Sequence, residues 1–282
     1  MAVLGFELLL RFLWGSALIL FWISRKETSE RFLRIAFYIG LGTAAAAIWL
    51  AKSGFQGADL NNAYYSLASL TLGLALYSFF SGRLARIPGF LLVLISPAFV
   101  LKAQGFDAQI NFLLSSALLG SVFMGQFLGH WFLTVPNIHI KELKRVTVLM
   151  MTSIGLKSAE ILWTLFVKIG AHPNNYSVDA MGRPLGLALQ DSQTLSQLNM
   201  AEGLFTLSGD LYFGLGSYGL IILATRVLWG TLAPLILAGL VFQTVKMRST
   251  QSATGILYAM CVMILIGEGT AIYLKNILGF LL

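Results

Sequence analysis

The segment Val146–Gly170 is apolar along almost its whole length and is about as long as a helix that crosses a lipid bilayer. Two charged side chains, Lys157 and Glu160, interrupt it near the middle. A charged side chain at the centre of a bilayer costs roughly 2.5–3.5 kcal/mol on insertion scales. Since residues three apart share one face of a helix, the two side chains can pair with each other or face one protein-lined cavity. The sequence therefore predicts a membrane protein with a polar interior.

The composition supports the same fold class. Hydrophobic residues make up 57% of the 282 residues and charged residues 11%, against about 25% charged in an average soluble domain. Apolar runs and short connections account for the chain, so we expect an all-α bundle of transmembrane helices that forms one domain over residues 1–282. The basic residues cluster in the connections, which indicates a topology signal and not a nucleic-acid partner.

Nine membrane spans are predicted. The run Leu204–Val245 is too long for one span, and we divide it near Arg226–Gly230; the alternative is eight spans with part of this run re-entrant. Pro97 predicts a kink in the fourth span. The spans are Leu4–Ile23, Phe32–Ala51, Tyr64–Ser81, Pro88–Leu101, Ile110–Leu133, Val146–Val167, the two parts of Leu204–Val245, and Thr254–Leu274.

The basic residues of the connections predict the orientation. Because cytoplasmic connections carry the excess of Lys and Arg, the N-terminus is expected outside, the polar segment 171–202 is expected to be an external loop, and the C-terminal tail is expected inside. Lys246 and Arg248 then fall on the outer side, against the rule. The predicted inner set is Arg25, Lys26, Arg31, Arg34, Arg83, Arg86, Lys141, Lys144 and Arg145, and the outer set is Lys52, Lys102, Lys168 and Arg183.

Ionisable residues inside the predicted spans are the candidate functional groups, because such residues are expensive in lipid and commonly mark pathways for ions and protons. A rise of about 1.5 Å per helical residue places Glu160, Asp210 and Arg11 in the outer half of the membrane. Lys157 falls near the middle and Glu268 in the inner half. Groups at staggered depths predict a proton relay across the membrane. Its candidate residues are Lys157, Glu160, Asp210 and Glu268.

Pairing between neighbours is the structural alternative to a relay. Glu7 and Arg11 are four residues apart in the first span, a spacing at which opposite charges meet on a helix, and we predict a structural ion pair there. Lys157 and Glu160 can pair in the same way, and Asp210 is a second candidate partner for Arg11.

His130 and Trp131 lie near the predicted inner interface and form a candidate site for a quinone carbonyl or a lipid headgroup. An aromatic belt with a hydrogen-bonded histidine is the simpler interpretation. The single cysteine, Cys261, and three scattered histidines give no spacing typical of a metal site. We therefore expect no metal or haem held by this chain, with a quinone as the one possible bound cofactor.

The stretch Lys246–Tyr258, KMRSTQSATGILY, has the character of a specific signature. By architecture the chain is similar to the quinol-interacting integral subunits of the polysulfide-reductase type, which have eight or nine spans and no cofactor of their own. The resemblance implies a cofactor-free subunit of an electron-transfer or energy-converting complex in a bacterial inner membrane. Membrane lipids and redox-active subunits would be its partners. A proton-coupled secondary transporter and a structural scaffold or assembly factor are the alternatives.

Overall fold

The computed structural model describes residues 2–23, 28–80, 83–101, 106–135, 140–164 and 217–278. The described residues are helical apart from short turns, and none of them forms a strand. A π-helical segment, Leu228–Leu232, joins α8 to α9. The helices are α1 (Ala2–Trp22), α2 (Glu30–Gly54), α3 (Gly57–Phe79), α4 (Arg83–Ile95), α5 (Ala98–Leu101), α6 (Phe106–Thr134), α7 (Lys141–Trp163), α8 (Ser217–Val227), α9 (Ala233–Lys246) and α10 (Thr250–Leu278).

Six helical stretches of the described chain are long and apolar enough to cross a membrane. This confirms the all-α prediction and indicates a multi-pass membrane protein, whereas the count of nine spans is not confirmed. A shorter apolar helical stretch covers Arg86–Leu101. The six are Ala2–Trp22, Glu30–Gly54, Phe106–Thr134, Lys141–Trp163, Ile221–Lys246 and Thr250–Leu274.

The kink predicted at Pro97 appears in the structure as a break between two helices. α4 ends at Ile95 and α5 begins at Ala98, and the amides of Val100 and Leu101 both donate to the Pro97 carbonyl, at 3.0 and 2.9 Å. Proline has no amide hydrogen and its ring clashes with the preceding turn, which interrupts a helix at this point.

The predicted division of Leu204–Val245 near Arg226–Gly230 is wrong. The chain continues as helix from Ser217 to Lys246, and the π-helical turn Leu228–Leu232 widens the helix without reversing it. Ile221–Lys246 is therefore one span. Residues 204–216, which hold the first part of the predicted seventh span, lie outside the described residues.

The turn between α9 and α10 explains the first part of the Lys246–Tyr258 signature. The Ser249 amide donates to the Thr244 carbonyl at 2.9 Å and the Arg248 amide to the Val245 carbonyl at 3.2 Å. Arg248 has a φ of 58°, the left-handed conformation that closes a helix in this pattern of hydrogen bonds and that glycine usually supplies. An arginine at this position places a charge on a tight turn at the bundle end.

This turn lies at the same end of the bundle as the connection from α6 to α7. Gly129, near the end of α6, packs against Thr254, near the start of α10. Lys246 and Arg248 therefore join the end that carries the basic connections, which we call the basic end. Its described basic residues are Arg31, Arg34, Arg83, Arg86, Lys141, Lys144, Arg145, Lys246 and Arg248.

Two expectations are corrected by this arrangement. Lys246 and Arg248 were expected on the side opposite the other basic connections, and they lie with them. α10 starts at the basic end, so Leu278 lies at the opposite end, whereas the tail was expected on the same side as the basic connections. Both errors came from the division at Arg226–Gly230, because one additional crossing reverses the side of everything that follows.

Labelling of single cysteines tests this placement. In a Cys261→Ala background, Arg248→Cys and Lys144→Cys are expected to react with an impermeant maleimide from the same side of the membrane, and Lys52→Cys from the other side. All three positions are exposed, and the excess of basic residues predicts that the first two face the cytoplasm. Labelling of Arg248→Cys from the same side as Lys52→Cys would contradict the single span Ile221–Lys246.

α1 packs against α6 at very short range. A Cβ added to Gly15 would overlap the carbonyl oxygen of Ser116, and a Cβ added to Gly120 would overlap the backbone of Gly15. Small residues allow this close approach of helices in membranes. The contact fixes α1, which carries Arg11, next to the polar residues in the first half of α6.

Candidate functional site

Ionisable side chains from four helices meet in the interior of the bundle. They come from α1, α7, α8 and α10, and α6 adds neutral polar groups beside them. We call this set the charge cluster. Its members are Glu7, Arg11, Lys157, Glu160, Arg226 and Glu268.

Glu268 is the centre of one half of the cluster. Its Oε1 accepts a hydrogen bond from Arg226 Nη1 at 2.9 Å, and its Oε2 lies 3.6 Å from Arg11 Nη1. The side chains of Glu268 and Arg226 are completely buried. Arg11 also lies 3.7 Å from Glu7, one helical turn earlier in α1. The predicted Glu7–Arg11 contact is therefore present as part of a larger network.

Lys157 and Glu160 form the other half. Lys157 Nζ lies 2.6 Å from Glu160 Oε2, and the Asn111 side-chain amide donates to Glu160 Oε1 at 2.8 Å. The lysine side chain is 1% exposed and the glutamate side chain 16%. The two halves interact electrostatically, because Lys157 lies within range of the charges of Glu268 and Arg226.

Staggered depths are not observed for the described relay candidates. Glu268 contacts Arg11, which was expected in the outer half, although Glu268 itself was expected in the inner half. The reason is again the direction of α10, which starts at the basic end and not at the opposite one. The members of the charge cluster therefore lie at about one level of the bundle. Asp210, the fourth relay candidate, lies outside the described residues.

Arg226 is the member of the charge cluster that the sequence analysis missed, because it was assigned to a turn. Gly230, one helical turn after Arg226, packs backbone to backbone against Gly267, the residue before Glu268. The Arg226 guanidinium occupies the space that a side chain on Gly230 would take. The need to compensate the charge of Glu268 could have identified Arg226 from the sequence. Arg226 is the one basic residue between Leu204 and Val245, and a buried Glu268 requires a cation.

The cluster has balanced charges and an excess of hydrogen-bonding capacity. Three basic side chains face three carboxylates, which reduces the cost of burial. Several buried polar atoms nevertheless have no hydrogen-bond partner within the described part of the chain, and atoms of this kind bind water or a polar ligand in proteins. They are Arg11 Nε and Nη1, Arg226 Nε and Nη2, Glu268 Oε2, Asn111 Oδ1 and Ser115 Oγ.

A polar stripe on α6 connects the two halves of the cluster. Asn111 contacts Glu160, and Ser115, one turn further along, faces the Glu268 carboxylate at a longer range than a hydrogen bond. Residues four apart lie on one face of a helix. The stripe therefore places neutral donors and acceptors between the carboxylates of Glu160 and Glu268.

The candidate headgroup pair, His130 and Trp131, lies near the basic end, away from the charge cluster. His130 is exposed and Trp131 is partly buried. Trp131 lines a groove with Ser29, Arg31 and other residues, and His130 is not among the residues that line it. A headgroup or quinone site at His130 and Trp131 stays a prediction.

Groups of three or more residues that could hold a metal ion are not found within the described ranges. The charge cluster holds opposite charges in contact inside the bundle, and its unpaired polar atoms can bind water or a polar group. Comparisons with protein-family models, with curated proteins and with solved structures give no match for this chain.

Proposed function

We propose that this chain is a cofactor-free integral subunit of a bacterial electron-transfer or energy-converting membrane complex, in which the charge cluster moves protons linked to quinol chemistry. The observation that carries the proposal is the buried contact of Lys157 with Glu160 beside the Arg11–Glu268–Arg226 group. Three cations and three carboxylates inside an apolar bundle are costly to bury. Such groups in membrane proteins mark proton and ion pathways.

The two halves of the cluster suit different roles. Lysine and glutamate can each gain or lose a proton, whereas arginine stays protonated in proteins. We therefore assign proton exchange to Lys157 and Glu160, and assign Glu268 to balancing the fixed charges of Arg11 and Arg226. Asp210 remains a proposed relay member on sequence grounds.

The proposal requires partner subunits. One cysteine and three scattered histidines in the whole sequence give this chain poor means of holding iron–sulfur clusters or haem. Electrons would then pass through partners, and this chain would supply the membrane path for protons and a contact for quinone. We propose a location in the bacterial inner membrane with the basic end towards the cytoplasm and the N-terminus outside.

A proton-coupled secondary transporter is the second candidate, favoured by one observation. The π-helical turn Leu228–Leu232 lies directly beside Arg226, and irregular helices next to buried charges are typical of transporter binding sites. Copurification separates the two candidates: subunits with haem or iron–sulfur clusters favour the first, and isolation of the chain alone favours the second.

Substitution of the Lys157–Glu160 pair tests the proton role. Glu160→Gln is expected to reduce quinol-dependent turnover and proton uptake in native membranes at least tenfold, an effect of the size usual for general acid–base groups. Glu142→Gln is the matched control, because Glu142 pairs with Arg145 on the same helix with the same spacing and the same distance of 2.6 Å. Turnover of the control is expected to stay near that of the wild type.

Glu160→Gln leaves the Lys157 charge without its partner, so loss of folding has to be separated from loss of function. The double variant Lys157→Leu with Glu160→Leu removes both charges and is expected to fold better than the single variant. A stable double variant without turnover supports the relay. A stable double variant with normal turnover would show that the pair is structural, as expected for a scaffold or assembly factor.

A further inference from the structure

A groove of about 510 Å³ opens at the basic end, between the start of α2 and the end of α6. We propose that it binds the phosphodiester of an anionic phospholipid from the adjacent leaflet. This is independent of the proton relay, since the groove and the charge cluster lie in opposite halves of the bundle. The residues that line the groove are Ser29, Glu30, Arg31, Arg34, Trp131 and Val135.

The groove has one uncompensated positive charge, which suits a ligand with one negative charge. Arg34 and Glu30 lie 3.5 Å apart and compensate each other. Arg31 makes no ion pair with any described residue, so its guanidinium is the uncompensated cation of the groove. A guanidinium presents paired N–H donors that suit the oxygens of a phosphate, and a phosphodiester carries a single charge.

The start of α2 adds backbone donors to the same place. The Ser29 side chain accepts a hydrogen bond from the Phe32 amide at 3.2 Å, which caps the helix. The amides of Glu30 and Arg31 in the first turn have no partner within the helix. The N-terminus of a helix of 25 residues also carries a partial positive charge that favours anions.

Trp131 supplies an independent observation. Its indole Nε1 is buried and has no hydrogen-bond partner in the part of the chain that the structure describes. The ring packs edge-on against Phe32, with centroids 5.7 Å apart, so the indole is held at the wall of the groove. An indole nitrogen can only donate, and a buried donor without an acceptor is costly. Because Trp131 lines the groove, a small rotation of the ring would bring this donor to a phosphate oxygen bound there.

The surface next to the groove favours a lipid over free phosphate. Arg31, Ile35 and Tyr38 follow one another at helical spacing on the exposed face of α2, and Ile35 and Tyr38 are 40% and 59% exposed. This face offers a charged group at the basic end and an apolar surface towards the bilayer. A phospholipid has the same order of groups, from headgroup to acyl chains.

Binding of defined lipids to the delipidated full-length protein in detergent tests the proposal. By native mass spectrometry, short-chain phosphatidylglycerol is expected to bind, and Arg31→Gln is expected to weaken this binding about tenfold through loss of a charge-assisted hydrogen bond. Trp131→Phe keeps the ring, removes the N–H donor and is expected to weaken binding several-fold. Lys144→Gln is the matched control, an exposed basic residue of the same end outside the groove, and is expected to bind like the wild type.

Thermal stability of Arg31→Gln is expected to equal that of the wild type, because the side chain is exposed. Equal binding of phosphatidylcholine and phosphatidylglycerol would overturn the anionic headgroup. Inorganic phosphate that binds as tightly as phosphatidylglycerol would overturn the lipid and leave a site for a soluble anion. Displacement of phosphatidylglycerol by a short-chain quinone, or an equal loss in Lys144→Gln, would overturn the assignment of this groove to lipid phosphate.

Discussion

Glu268→Gln is expected to lower the free energy of unfolding by about 3–5 kcal/mol, because it leaves the buried Arg226 guanidinium without a compensating charge and leaves Arg11 with Glu7 alone. Arg226 lies 2.9 Å from the carboxylate and Arg11 lies 3.6 Å from it. Glutamine keeps the size of the side chain, so a change of volume contributes little to the loss. Thermal unfolding in detergent measures the effect.

Two comparisons make this result specific. Glu30→Gln removes a carboxylate that is 74% exposed and paired with Arg34 at 3.5 Å, and it is expected to cost less than about 1 kcal/mol. Replacement of both Glu268 and Arg226 by leucine is expected to cost less than Glu268→Gln alone, since no strong charge imbalance remains. Equal stability of Glu268→Gln and Glu30→Gln would show that the charge cluster is accessible to bulk water.

Contacts within one helix could be predicted from the sequence. Lys157 and Glu160 are three residues apart and Glu7 and Arg11 four apart, and the geometry of a helix brings such side chains together wherever the helix lies. The long apolar runs were sufficient for the all-α prediction in the same way. These features depend on local spacing and on transfer from water to lipid, and both can be read without knowledge of the topology.

The Arg226–Glu268 contact joins residues 42 positions apart, and its prediction requires the direction of two helices. Assignment of Arg226 to a turn followed the rule that charged residues lie in connections, but the structure shows that two carboxylates and two guanidiniums can compensate each other inside the bundle. The basic residues Lys246 and Arg248 contradicted the nine-span arrangement. Removing one crossing restores agreement with the positive-inside rule. The unexpected outer placement of these two residues was therefore the sign in the sequence that one predicted crossing was too many.

The layer of charges depends on packing that the sequence shows only as scattered glycines. Gly15 and Gly120 bring α1 and α6 into backbone contact, and Gly230 and Gly267 do the same for the π-helical segment and α10. Other glycines of the chain, such as Gly42, have open space around them. Sequence alone does not separate these two groups, because each residue looks like any small residue in a membrane helix.

Gly120→Ala is expected to lower the free energy of unfolding by about 3 kcal/mol, at the upper end of the range for an added carbon in a tightly packed interior. The new Cβ would overlap the backbone of Gly15, and no rotation of a flexible side chain can relieve an overlap with backbone. α1 and α6 would have to separate, which also moves Arg11 away from the Asn111–Ser115 stripe.

Gly42→Ala is the matched control, because Gly42 lies within α2 with nothing in reach of an added Cβ. Alanine favours a helix over glycine by up to about 1 kcal/mol, so the control is expected to be neutral or slightly stabilising. The two unfolding temperatures therefore should move in opposite directions, although the substitution is chemically identical. An equal, small shift in both variants would mean that α1 and α6 do not meet at Gly15 and Gly120, and the position of Arg11 beside Glu268 would lose its structural basis.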